Sequence, residues 1–101
     1  MKAVLIADSD ATLRKKIARE VSRHFDVVEA GDLDAVETAL RQNARIVALV
    51  IDRRQMLSPR GSRLAMWLGR ARPELARIWV SSGRSWQKGA ILQAVRACGA
   101  G

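Results

Sequence analysis

Three oxygen-bearing side chains each close a short apolar run. Asp8 follows Ala3–Ala7, Asp52 follows Ile46–Ile51, and Ser81 follows Ile78-Trp79-Val80. Two carboxylates and a hydroxyl from separate segments, once brought together, make a hard-oxygen pocket suited to Mg²⁺ and a phosphoryl group. An aspartate after a strand is also a common helix cap, which is the plainer reading of Asp8 alone. Asp52 resists that reading, because Arg53 and Arg54 follow it rather than a recognisable helix. Ser81 by itself says little; the three together are what carries meaning.

The elements that must position them alternate short apolar runs with amphipathic segments, a pattern that favours a parallel sheet with helices on its faces. Ala3–Ala7 reads as a buried first strand. Asp10 is placed to cap a helix whose inward residues are Leu13, Ile17, Ala18 and Val21, with Arg14, Lys15, Lys16, Arg19, Arg23 and the lone acid Glu20 on the rest of it. Phe25–Ala30 is a second strand, Gly31-Asp32 a turn, and Leu33 to Arg41 a helix with Val36, Ala39 and Leu40 facing inward. Ile46–Ile51 is the natural central strand. A loop through Ser58-Pro59-Arg60-Gly61 is expected before a third helix that buries Leu64, Ala65 and Leu68 and stops ahead of Pro73. Ile78-Trp79-Val80 is a fourth strand, Ser81-Ser82-Gly83 a turn, and Ser85 the cap of a last helix through Ala97. Four strand–helix pairs in series, joined by right-handed crossovers, point to a flavodoxin-like α/β sheet in strand order 2-1-3-4. In such sheets ligands bind beyond the carboxyl ends of the strands where the order switches direction, here between the first and third. Asp8 and Asp52 end those two strands.

Length and composition set bounds. With 101 residues, 49% of them hydrophobic, residues 1–101 suffice for one domain. No stretch of about 18 apolar residues is present to cross a membrane. The opening apolar run of five residues is too short for a secretory signal, so a cytoplasmic protein is expected. Cys98 is the only cysteine, which excludes an intrachain disulfide and a thiolate metal cage. His24, also alone, reads as a helix-end residue. Net charge is +8 and uneven: residues 1–51 balance eight basic against eight acidic side chains, whereas residues 52–101 set ten basic ones against Asp52 and Glu74. That half either faces an anionic partner or is an arginine-rich solubilising surface. Neither G-x-G-x-x-G nor G-x-x-x-x-G-K-[ST] occurs, and the single histidine and cysteine lie on unrelated segments, so no enzyme is expected.

Val4-Leu5-Ile6-Ala7-Asp8-Ser9-Asp10 with Leu13-Arg14 resembles the opening of response-regulator receiver domains. Val27-Val28-Glu29-Ala30 with Gly31-Asp32 resembles their second strand and turn, and Val47–Asp52 the strand that bears the phosphoacceptor. Pro59 and Gly61 echo the loop after it, and Val80-Ser81-Ser82 the strand end with the switch hydroxyl. The resemblance implies that Asp52 accepts a phosphoryl group from a histidine kinase or phosphotransfer protein. It also implies that Asp8 and Asp52 help hold Mg²⁺ and that Ser81 contacts the phosphate, with Ser9, Arg53, Arg54 and Ser82 as pocket neighbours.

The departures are as informative. The family usually carries two adjacent acids after the first strand; here the second position is Ser9, and Asp10 substitutes only if the loop re-registers. Family members continue with a fifth strand bearing a phosphate-contacting lysine and a fifth helix, which this chain is expected to lack; Lys88 is placed within the last helix, facing solvent. In the intact fold, helices one and five cover one face of the sheet. Loss of helix five is expected to bare part of that face and to leave strand four an open edge, predicting a homodimer with Trp79 near the contact. Trp67 reads as core and Trp86 as an exposed candidate for contacts. Two other functions compete with phosphotransfer: a pseudo-receiver scaffold that no longer takes phosphate, and a nucleic-acid binder using the basic half, though no helix-turn-helix, zinc or aromatic RNA-binding motif is present.

Overall fold

The Ala3–Ala7 run forms β1, buried along its whole length. The computed structural model describes residues 2–80 and 90–97. After β1 come α1 (Ala11–Val21), β2 (Asp26–Ala30), α2 (Leu33–Gln42), β3 (Ile46–Asp52), α3 (Arg53–Met56), α4 (Pro59–Ala71), β4 (Ala76–Val80) and α5 (Ala90–Ala97). The four strands pair in parallel in the order β2-β1-β3-β4, as the alternation of elements predicts.

Strand alternation builds two cores, one on each face of the sheet. Leu5, Leu49 and Ile51 meet Val36 and Leu40 of α2 and Leu64 and Leu68 of α4 on one side. Val4, Ile6, Ala48 and Val50 meet Ile17, Ala18 and Val21 of α1 on the other. Both central strands are thus covered twice, which is why each reads as an unbroken apolar run. Trp67 is half-buried against the first core, with the Arg41 guanidinium 4.5 Å from its ring centroid.

The β1–β3 register carries a slip near its start. Ala3 pairs with Ile46, but Val4 pairs with Ala48, and this offset persists to Ala7 and Ile51. The extra residue is Val47, which lies on the α1 side together with Ala48.

The structure corrects several expectations. The segment after β3 is not a loop to Gly61. A four-residue helix, α3, follows Asp52 directly, and α4 begins at Pro59, with the Ser58 hydroxyl accepting from the Gly61 N–H. Proline at the first helical position behind a serine cap is a favoured start, since its missing N–H would find no partner there anyway. Gly61 is needed for closeness: a Cβ there would lie 2.1 Å from the Gln55 carbonyl oxygen. β2 starts at Asp26 rather than Phe25, α2 extends to Gln42, and β4 begins at Ala76.

A larger correction concerns the last helix. It lies beside α1, where Ile91 and Val95 enter the second core, and Arg96 Nη2 meets His24 Nδ1 at 2.9 Å in the turn after α1. The face expected to be bare without a fifth helix is therefore covered by α5 itself. On β4, Ala76, Ile78 and Val80 pack into that core, while Arg77 and Trp79 project to the opposite side, where Trp79 is 49% exposed. Among the described residues, the outer edge of β4 has no partner strand. No helix of the described chain is long and apolar enough to cross a membrane. Ser85, Trp86, Lys88 and Cys98 lie outside the described residues.

Candidate functional site

Asp8 and Asp52 fall opposite one another at the ends of adjacent strands. Ala7 pairs with Ile51, so the next step along both strands sets Asp8 opposite Asp52, with neighbouring strands about 4.8 Å apart. Alternation from Ile6 and Val50, both on the α1 side, turns both carboxylates the same way. The slip at Val47 makes this possible: with the register that starts at Ala3 and Ile46, Asp8 would meet Ile51 instead. Both aspartates are buried, at 6% and 8% exposed, and they are the only polar residues in that class among the described ones.

Each carboxylate has one oxygen committed to the backbone. Asp8 Oδ1 accepts from the Asp10 N–H at 2.8 Å, bending the chain out of β1. Asp10 Oδ1 in turn accepts from the Thr12 and Leu13 N–H groups at 2.9 and 3.2 Å and caps α1, so the capping duty falls on Asp10 and leaves Asp8 to the nook. Asp52 Oδ1 accepts from the Arg54 N–H at 2.8 Å. This is the capping role that the sequence argued against, made possible by a helix of only four residues. The Arg54 guanidinium comes back over the same carboxylate, with Nη2 3.7 Å from Oδ2.

Arg14 is a neighbour of the site that the sequence pattern left on the solvent side of α1. Its side chain is only 17% exposed, pairs with Glu29 at 3.0 Å, and donates from Nη1 to the Asp8 carbonyl oxygen at 2.7 Å. Its distance from Asp8, one turn into the following helix, is the signal that points to it. Of the remaining expected pocket residues, Ser9 and Arg53 are exposed beside the two aspartates. Ser81 and Ser82 lie outside the described residues, following Val80, which pairs with Asp52.

The donor set differs from the Mg²⁺ site that the resemblance implies. Two carboxylates face the nook, Ser9 replaces the second acid of the adjacent pair, and Asp10 is turned into α1. No group of three or more His, Cys, Asp or Glu side chains suited to a metal ion exists among the described residues. Among the described residues, surface clefts of about 230 and 340 Å³ lie elsewhere, one between α2 and α4 lined by Leu33, Arg60 and Arg63, the other between α1 and β2 lined by Lys15, Arg19 and Val27. Neither touches the aspartates.

This arrangement, a 2-1-3-4 parallel sheet with paired acids at its switch point, defines the flavodoxin-like class to which receiver domains conform. No family model and no curated protein matches the chain. Among solved structures it is similar to the crystal structure of a response regulator receiver protein from Pseudomonas putida, with a TM-score of 0.68, 22% sequence identity, and coverage of 97% of this chain and 79% of that one. At that identity the likeness establishes the fold.

Proposed function

We propose that this chain is a single-domain receiver that takes a phosphoryl group on Asp52 and signals through protein–protein contacts. The observation that carries the reading is the juxtaposition of Asp8 and Asp52, both buried, at the carboxyl ends of β1 and β3 where the strand order reverses. In the step proposed, an Asp52 carboxylate oxygen forms a bond to phosphorus as the bond from phosphorus to the donor imidazole nitrogen breaks. The electron pair stays on that nitrogen. Asp8 holds the end of the neighbouring strand, and Arg54 supplies positive charge beside the acceptor. Ser81 keeps the phosphate-contacting role that the resemblance gives it. The partner is a histidine kinase or a phosphotransfer protein.

Incubation with acetyl phosphate, read by intact mass and peptide mapping, tests the reading. The expected result is one phosphoryl group on Asp52 in the wild type and none in Asp52→Asn. Failure to label the wild type with acetyl phosphate and with histidine-kinase donors alike would reject it. The rival, a scaffold that keeps the fold without phosphotransfer, draws support from Ser9 and from the guanidinium already held against Asp52; that same failure is its expected result.

With the α1 side covered by α5, a homodimer rests on the outer edge of β4 and on Trp79 alone. Association through that edge predicts a dimer in light scattering at tens of micromolar that Trp79→Arg dissociates; a monomeric wild type removes it.

A further inference from the structure

We infer that Arg54 acts as the resident cation of the nook, so that Asp52 accepts a phosphoryl-type oxyanion without a divalent metal; this rests on the reading of Asp52 as acceptor. One residue approaches both oxygens of the carboxylate, its amide donating to Oδ1 at 2.8 Å and its guanidinium lying 3.7 Å from Oδ2. The placement is local. Asp52 ends β3, Arg54 is the second residue of α3, and the capping turn between them leaves the guanidinium over the acid. Arg53 has no acidic partner among the described residues.

The other side of the nook is equally prepared. The Asp8 carbonyl oxygen is occupied by Arg14, and Asp10 is spent on α1. A divalent ion would find two carboxylates, one of them shared with a guanidinium that repels it. At the few-ångström separations involved, that repulsion lowers dication affinity on the order of tenfold even with solvent screening. Mg²⁺ itself needs only one or two carboxylates beside its waters and the phosphate oxygens, so it is the charge of the guanidinium, not the donor count, that weighs against it. A guanidinium is always charged, weakly hydrated, and presents paired N–H groups that match two phosphate oxygens. Arg54 is 76% exposed, free to swing from Oδ2 onto an arriving phosphoryl group. The resulting electrostatics resemble a metal-assisted site in sign but not in donor chemistry.

Two measurements on the full chain test this. In the first, Mg²⁺ is titrated into isotope-labelled protein while the amide resonances of Asp8, Asp52 and Arg54 are followed. The wild type and Arg53→Gln should show no saturable change through the millimolar range, whereas Arg54→Gln should gain affinity by about tenfold. Tight saturable binding by the wild type that Arg54→Gln leaves unchanged would overturn the inference, whatever the fate of phosphotransfer. In the second, acetyl phosphate labelling is compared in EDTA and in Mg²⁺. The wild type should label as well in EDTA, and Arg54→Gln should become metal-dependent. Strict metal dependence of the wild type overturns the inference and leaves Asp52 the acceptor. Absence of label under both conditions rejects the acceptor reading and the inference that rests on it, and the titration then still reports whether Arg54 excludes the metal.

Discussion

Arg14 Nη1 and the Asp8 carbonyl oxygen are 2.7 Å apart, and the same guanidinium pairs with Glu29. One side chain of α1 thus ties together the ends of β1 and β2 beneath the site. A largely buried, charge-assisted contact of this kind is worth about 1–2 kcal/mol. Arg14→Met is expected to lose that much in urea unfolding, whereas Lys15→Met, at an exposed neighbouring position, should stay within about 0.5 kcal/mol. Equal effects at the two positions would show that the clamp contributes nothing.

Gly61 brings α4 against the end of α3. An added methyl group would sit 2.1 Å from the Gln55 carbonyl oxygen and 2.6 Å from that of Met56, both backbone atoms with little room to move. Gly61→Ala is expected to cost about 2 kcal/mol or more, despite alanine's better helix propensity. Gly69 has open space around it, and Gly69→Ala should be neutral or stabilising. Thermal melts of the two variants check the contrast.

Arg72, just past α4, reaches across the base of the molecule. It donates to the Leu40 carbonyl at the end of α2 and to the Ile46 carbonyl at the start of β3, and it pairs with Glu74 at 3.0 Å. Removing it orphans two carbonyls in a largely buried setting. Arg72→Met is expected to destabilise the fold by about 2–3 kcal/mol by chemical denaturation, with Arg70→Met as an exposed control that changes little.

The Glu74 carboxyl is held below the usual carboxylate range, first by its own backbone N–H and then by the Arg72 guanidinium. A depressed folded-state pKa stabilises the native chain at pH values above the ordinary carboxylate range, and this contribution fades as pH falls through the lowered value. The carboxyl is fully exposed, so the effect on overall stability is small and the readout should be local. Following the Glu74 side chain through an acid titration should give a low midpoint in the wild type that rises toward the ordinary value in Arg72→Met. An unchanged midpoint would leave the Arg72 contact without electrostatic weight.

The sheet was legible because it is written in apolar runs. Ala3–Ala7 and Ile46–Ile51 are buried on both faces, and the order 2-1-3-4 then places Asp8 beside Asp52. The four-residue α3 was not legible, since Arg53-Arg54-Gln55 shows no periodicity and one turn of helix requires none; the cap on Asp52 was missed with it. Ser58-Pro59 carries a start signal, a serine cap followed by a first-turn proline. The amphipathic face of α5 shows that Ile91 and Val95 are buried but not which side of the sheet receives them. Arg14 and Arg72 look like any of the 18 basic residues until partners distant in sequence come within reach.

The β1–β3 pairing has a kinetic meaning. Ala3 and Ile46 are separated by α1, β2 and α2, and a parallel pair cannot zip from a hairpin. A nascent chain must therefore close that long circuit, in the shifted register set by Val47, before the two aspartates meet at all. Anything that binds both acids selects chains that have already finished this step, so occupancy of the site reports that the first and third strands have found their register.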